Sequence, residues 1–98
     1  TRLEQETDAR VVIIDPFYIS TDRTADSFRA LVLDTIPDYI AVAQEVAAAH
    51  GCRHIPMHEI FAEHLKYRDP DFYCPEPVHP GPAGHMVIAN ALLHTLTE

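Results

Sequence analysis

The stretch Arg10-Val11-Val12-Ile13-Ile14-Asp15-Pro16 limits what this chain can fold into more than any other. A β-branched run with no polar alternation, stopped by a proline, describes a strand buried on both faces, as in a parallel sheet covered by helices. Such a strand needs a neighbour on each edge and a layer on each face. The rest of the sequence offers one further short strand, Arg53-His54-Ile55-Pro56-Met57, and several helical stretches. The sheet is therefore expected to be incomplete. The polar lead Thr1-Arg2-Leu3-Glu4-Gln5-Glu6, without a starting Met, reads as part of a longer chain.

Periodicity places the helices. Phe28, Leu31, Val32, Thr35 and Ile36 follow the i, i+3, i+4, i+7, i+8 spacing of a helix beginning near Ala25. Pro37 is expected to interrupt it, with Asp34 or Thr35 capping a second helix through Tyr39, Ile40, Ala43, Val46 and Ala47 that Gly51 ends. A further helix from His58 to Tyr67 carries Ile60, Phe61, His64 and Leu65 on one stripe. Asp69-Pro70-Asp71 and the Pro-rich segment up to Pro82 read as a stiff loop, and Gly84 to about Leu96 as the last helix. Phe17 to Thr24 form the loop after the first strand, at the sheet end where open α/β folds bind ligands.

Seven Lys and Arg against fifteen Asp and Glu give a net charge of −8, and the basic residues are scattered singly. A nucleic-acid backbone needs clustered cations, so that class of partner is set aside. With 47% hydrophobic residues the chain has enough apolar surface to build a core. No apolar run approaches the roughly 18 to 20 residues that cross a bilayer. Cys52 and Cys74 form no C-x-x-C pair and read as ordinary thiols, not a disulfide scaffold. His54, His58 and His64, with the two cysteines, raise the question of zinc. Pro56 between His54 and His58 keeps that pair off one helix face, so solvated or helix-end histidines are the preferred reading.

The segment Glu76-Pro77-Val78-His79-Pro80 carries the chemistry. A carboxylate three residues before a histidine can fold back onto the imidazole Nδ1 when the intervening turn is rigid, and Pro77 and Pro80 supply the rigidity. This holds one tautomer and leaves Nε2 free to take a proton from a hydroxyl. Such a pair is two thirds of a nucleophilic triad.

This block resembles the last sequence block of the GDSL-type esterases and lipases, the SGNH hydrolases, which commonly reads Asp-x-x-His-Pro followed by Gly-His and an apolar helix containing Ile-Ala. Here the corresponding residues are Glu76-Pro77-Val78-His79-Pro80, Gly84-His85 and Val87-Ile88-Ala89. Val12 to Phe17 resembles the family's strand with its Pro-Phe exit, and Tyr39 to Gly51 the following helix and its glycine stop. The resemblance implies a three-layer, flavodoxin-like α/β fold with parallel strands flanked by helices, of which residues 1–98 are the C-terminal portion of one domain. It also implies ester hydrolysis by a serine mechanism, with His79 as general base and Glu76 as the acid that orients it. Where the family has Asp this chain has Glu, and Asp69 or Asp71 can take the role if the loop curls. The implied partners are the N-terminal portion of the same hydrolase, supplying Ser, Gly and Asn, and a small ester substrate. Neither metal nor organic cofactor is implied.

The serines here are Ser20 and Ser27, and neither follows Gly-Asp. Asp26-Ser27 echoes the nucleophile block but already makes sense as a helix-start cap. His85, at the start of the last helix, is read as a local hydrogen-bonding residue. Asp15 reads equally as a lining of the active-site mouth and as a strand terminator, and Phe17 and Tyr18 as an acyl-pocket wall or as cover for the sheet. A second functional class is a non-catalytic assembly module, pairing with another chain or with itself through the uncovered sheet edge.

Overall fold

The computed structural model describes residues 5–6 and 8–97, so the lead from Thr1 to Glu4 lies outside the described residues. Two strands, β1 (Val12–Ile14) and β2 (Arg53–Ile55), pair in parallel with Val12 opposite Arg53, Ile13 opposite His54 and Ile14 opposite Ile55. The Asp15 amide extends the ladder by donating to the Ile55 carbonyl at 3.0 Å. Pro56 stops β2 because it has no amide hydrogen to offer. Both strands are as short as a sheet of this size supports, and β1 is shorter than the apolar run that contains it. Ile14, expected to be buried, is 39% exposed, because among the described residues the sheet has two strands and one edge of β1 stays open.

Between the strands runs α1 (Phe28–His50). Ser27 caps it, its Oγ accepting from the Ala30 amide at 3.0 Å. Gly51 ends it in the left-handed conformation, φ 63°, with the Gly51 and Cys52 amides donating to the carbonyls of Ala48 and Ala47. The expected break at Pro37 does not occur. Leu33 and Ile36 before the proline and Ala47 after it are all buried, so both halves lie against the sheet. That shared burial outweighs the roughly 3 kcal/mol that one interior proline costs a helix. Neither proposed cap acts as one: Asp34 pairs with Arg23 at 2.9 Å, and the Thr35 hydroxyl donates back to the Leu31 carbonyl at 2.8 Å.

After β2 come α2 (Met57–His64), α3 (Pro70–Tyr73) and α4 (Pro82–Thr97). The segment around Asp71, expected as loop, forms the short α3 because Pro70 presets the first helical φ, and the Asp69 carbonyl before it accepts from the Phe72 amide at 3.0 Å. Pro82 opens α4 two residues before the expected start, within the first turn where its missing N–H costs nothing. The interior falls into two clusters, consistent with helices on both sides of a sheet. Ile19, Ile55, Met57, Phe61, Tyr73, Cys74, Val87 and Ala91 form the larger, and Tyr18, Leu33 and Ile36 form the smaller against α1. The molecule measures 45 × 26 × 18 Å, with a radius of gyration of 14.9 Å against about 13 Å for a typical 100-residue domain. It is a slab with one unfinished flank.

The Tyr73 carbonyl joins α3 to the start of α4. It accepts from the Gly81 amide at 2.8 Å, and a Cβ on Gly84 would sit 2.4 Å from it and 2.8 Å from the Pro80 Cβ. Both neighbours are stiff, so Gly84 is required by this close approach. Gly84→Ala is expected to lower unfolding free energy by about 1–3 kcal/mol in urea titration of the chain, while Gly81→Ala, whose Cβ meets only ordinary contacts, costs less.

Candidate active site

Glu76 to His79 form a tight turn closed by the His79 amide donating to the Glu76 carbonyl at 3.1 Å. Pro77 follows Glu76, where its fixed φ suits the second position of such a turn. The same two residues face each other as an isolated antiparallel bridge, which brings their side chains together, and His79 Nδ1 contacts Glu76 Oε1. The extra methylene of Glu is accommodated across this turn. His79 is largely exposed and Glu76 about half so. With Nδ1 engaged by the carboxylate, Nε2 is the ring nitrogen left to exchange protons.

The turn is anchored to the exit of β1. Pro77 offers its carbonyl to the Ile19 amide at 3.1 Å, and the Cys74 thiol, whose nearer acceptor is the Pro70 carbonyl at 3.3 Å, lies 3.8 Å from the Ile19 carbonyl. Ile19 is fully buried. Burial pushes the Cys74 thiol up, so it remains protonated and serves as a hydrogen-bond donor, not as a nucleophile. Both cysteines are free, as the sequence suggested.

Phe17, Tyr18, Phe28, Val32 and Ile36 line an open cavity of about 660 Å³ whose further wall is Glu76, Pro77 and Val78. Phe17 lines this cavity, and its ring lies 5.0 Å from that of Phe61, tilted by 48°. Asp22, Ser27 and Arg29 contribute polar groups to it. Asp22 is held below the usual carboxylate range, first by accepting from the Thr24 amide at 2.9 Å. Ser27 keeps its capping bond to Ala30, and the His85 amide donates to the Gly81 carbonyl at 2.9 Å.

Sequence reasoning missed one ionisable pair. Asp15 is 1% exposed, and its Oδ1 lies 2.5 Å from His54 Nε2, while Oδ2 has no hydrogen-bond partner. His54 lies in the second strand, as expected, but instead of being solvated or helix-ending its ring faces this carboxylate. The signal was the register: Ile13 lies opposite His54, so Asp15, two residues on, shares its face of the sheet. His58 is half-buried, with Nδ1 accepting from the Tyr18 amide at 3.1 Å. Among the described residues no group of three His, Cys, Asp or Glu could hold a metal ion, and no helix is long and apolar enough to cross a membrane.

Burial, with the charge of Arg23 adding to it, lowers the His58 pKa from 6.5. The unfolded chain therefore binds this proton more readily. The stability due to neutral His58 is complete above pH 6.5 and is lost as pH falls below it. His58→Asn retains an acceptor for the Tyr18 amide without titrating. Urea midpoints between about pH 7 and 5 should fall less steeply in that variant than in the parent chain. In the active-site turn, Glu76→Ala should release the imidazole from one tautomer, seen as converging ¹⁵N shifts of the two ring nitrogens of His79, whereas Glu76→Asp should retain most of the asymmetry.

No protein-family model and no curated protein matches the sequence. Solved structures do. An alpha/beta hydrolase enzyme from the metagenome of Lake Arreo, Spain, is 30% identical with a TM-score of 0.72, over 88% of this chain and 37% of that one. An acetylxylan esterase from Geobacillus stearothermophilus is 29% identical with a TM-score of 0.73, over 89% of this chain and 37% of that one. A tryptophan-to-isoleucine variant of that esterase reaches a TM-score of 0.78 at 26% identity, over 97% of this chain and 42% of that one. Catalytic mutants of the Geobacillus enzyme replace a serine, an aspartate and a histidine with alanine, the aspartate three positions before the histidine. This chain thus spans roughly two fifths of the length of these solved relatives. It is related to the SGNH-type esterases and carries part of their α/β fold.

Proposed function

We propose that this chain is the C-terminal portion of a carboxylic-ester hydrolase and supplies its general base, His79, and the orienting acid, Glu76. The observation that carries this reading is the Glu76–His79 contact, made across a proline-fixed turn at the wall of an apolar cavity. The equal spacing of the aspartate and histidine replaced in the Geobacillus catalytic mutants supports it. The serine and histidine of those mutants stand further apart along that enzyme than this polypeptide is long. A stretch of this length therefore holds one of them and not both, and neither Ser20 nor Ser27 is free for the role. Ser20 is buried and accepts from the Asp22 amide, and Ser27 caps α1.

In this mechanism Nε2 of His79 removes the proton from a serine hydroxyl contributed by the remainder of the domain as that oxygen attacks the ester carbonyl. The Glu76 carboxylate keeps Nδ1 protonated and stabilises the imidazolium as it forms. Collapse of the tetrahedral intermediate passes the proton to the leaving alcohol, and water repeats the sequence on the acyl-enzyme. Oxyanion donors come from the same remaining portion. The substrate class suggested by the Geobacillus relative is an acetyl ester of a carbohydrate.

The 98-residue chain alone is expected to show no turnover of p-nitrophenyl acetate. Joined to a serine-bearing portion from a related esterase it should gain activity, and His79→Ala in that assembly should lower kcat roughly 10²–10⁴-fold. Turnover by the isolated chain that depends on His79 would refute the division of roles. So would an active assembly indifferent to His79→Ala.

A further inference from the structure

Two successive amides at the exit of β1 are held by different parts of the molecule. The Tyr18 amide donates to His58 Nδ1 at 3.1 Å, and the Ile19 amide donates to the Pro77 carbonyl at 3.1 Å. Pro77 lies within the Glu76–His79 turn, so a single peptide step joins His58 to the turn that carries His79. The ends of the two strands bring His58 to this place. Ile14 lies opposite Ile55, so the chain leaves both strands at the same level. Pro56 ends β2, and α2 begins at Met57, which is fully buried. His58 follows in the first turn of α2, against the segment leaving β1. The side chains of that segment are buried in separate clusters, Tyr18 in the smaller one against α1 and Ile19 in the larger. Apolar burial is non-directional, whereas hydrogen bonds are directional, so the two amide bonds set which way the segment faces.

The His58 acceptor is conditional. Nδ1 takes the Tyr18 amide hydrogen only while the imidazole is neutral, with its proton on Nε2. A second proton ends on Nδ1, two N–H groups then face each other, and a part-buried amide loses its acceptor. Three charged groups bear on that event. Arg23, in the loop after β1, adds to burial in opposing the proton, while Asp15 at the end of β1 and Glu59 next along α2 favour it; burial dominates, and the ring titrates below 6.5. Asp15 already holds His54 through Oδ1, and its Oδ2 has no hydrogen-bond partner, so it has an acceptor to spare for an imidazolium.

We propose that His58 is a positioning residue for the His79 base. As a neutral imidazole it holds the Tyr18–Ile19 segment to which the Glu76–His79 turn is tied, and on protonation it releases that segment and the turn with it. The inference deepens the function proposed above, from which it takes the role of His79, while the coupling itself rests on the two amide bonds. A general base must be unprotonated to act. Two protons, on different residues, therefore act against turnover in acid, and kcat falls toward low pH more steeply than one titrating group produces.

The first test uses the chain alone and reads hydrogen-exchange protection of the Tyr18, Ile19 and Ala91 amides between about pH 7.5 and 5. Protonation of His58, followed by the ¹⁵N shift of its Nδ1, should lower protection of Tyr18 and Ile19 by about 10-fold or more beyond any change at Ala91 in the core. His58→Asn, which keeps an acceptor and does not titrate, should hold both amides protected across the range. His58→Leu should leave both weakly protected at every pH. An Ile19 amide that stays protected when Tyr18 is released overturns the proposal, as does an equal loss at Ala91 or a pH response that persists in His58→Asn. The second test joins the chain to a serine-bearing portion from a related esterase. Parent kcat should fall more steeply than that of His58→Asn between about pH 7 and 5, with KM following the same course in both. Parallel kcat profiles overturn the positioning role. Amide coupling in an assembly whose turnover ignores His79→Ala supports the link from His58 to the turn and counts against the catalytic reading.

Discussion

The hydrogen bond from the Ile19 amide to the Pro77 carbonyl ties the exit of β1 to the turn that holds Glu76 and His79. Without it the turn would be a stiff but unattached hairpin, and the imidazole would have no fixed relation to the sheet. Ile19 can make the bond because it is buried among Met57, Phe61 and Tyr73. Stiffness in the prolines and burial at Ile19 thus act in series. One shapes the turn and the other places it.

A second set of constraints acts from below the turn. The Tyr73 carbonyl receives the Gly81 amide and faces Gly84 closely enough to exclude any side chain there. Short α3 and long α4 are held together at this point, so the Pro-rich segment between them has both ends fixed. The His79 ring is exposed, yet its backbone is held on both sides by buried groups. Under the proposed function, that combination suits a residue that must meet a hydroxyl at a fixed position.

Much of the candidate site was legible from sequence because it is local. Glu76 and His79 are three residues apart, Pro77 dictates the turn, and the contact follows from covalent geometry. The capping by Ser27 and the stop at Gly51 are of the same kind. Asp15 and His54 are different: thirty-nine positions separate them, and only the parallel register puts them on one face of the sheet. Nor does sequence reveal that the Tyr18 amide would occupy Nδ1 of His58, since that bond depends on how the β1 exit crosses the start of α2.

The sequence by itself determined the turn chemistry, the Ser27 cap and the Gly51 stop of α1, and the presence of the two strands, because each depends on the conformational limits of a few neighbouring residues. Tertiary structure alone decided that α1 continues through Pro37, that Ile14 is exposed, and that an apolar groove at Leu31 and Tyr39 shares Val32 and Ile36 with the cavity walled by Glu76 and Val78. Those outcomes compare energies across distant parts of the chain. A helix that local preference would break is kept continuous by burial on both sides of its proline, and among the described residues β1 has a neighbour on one edge.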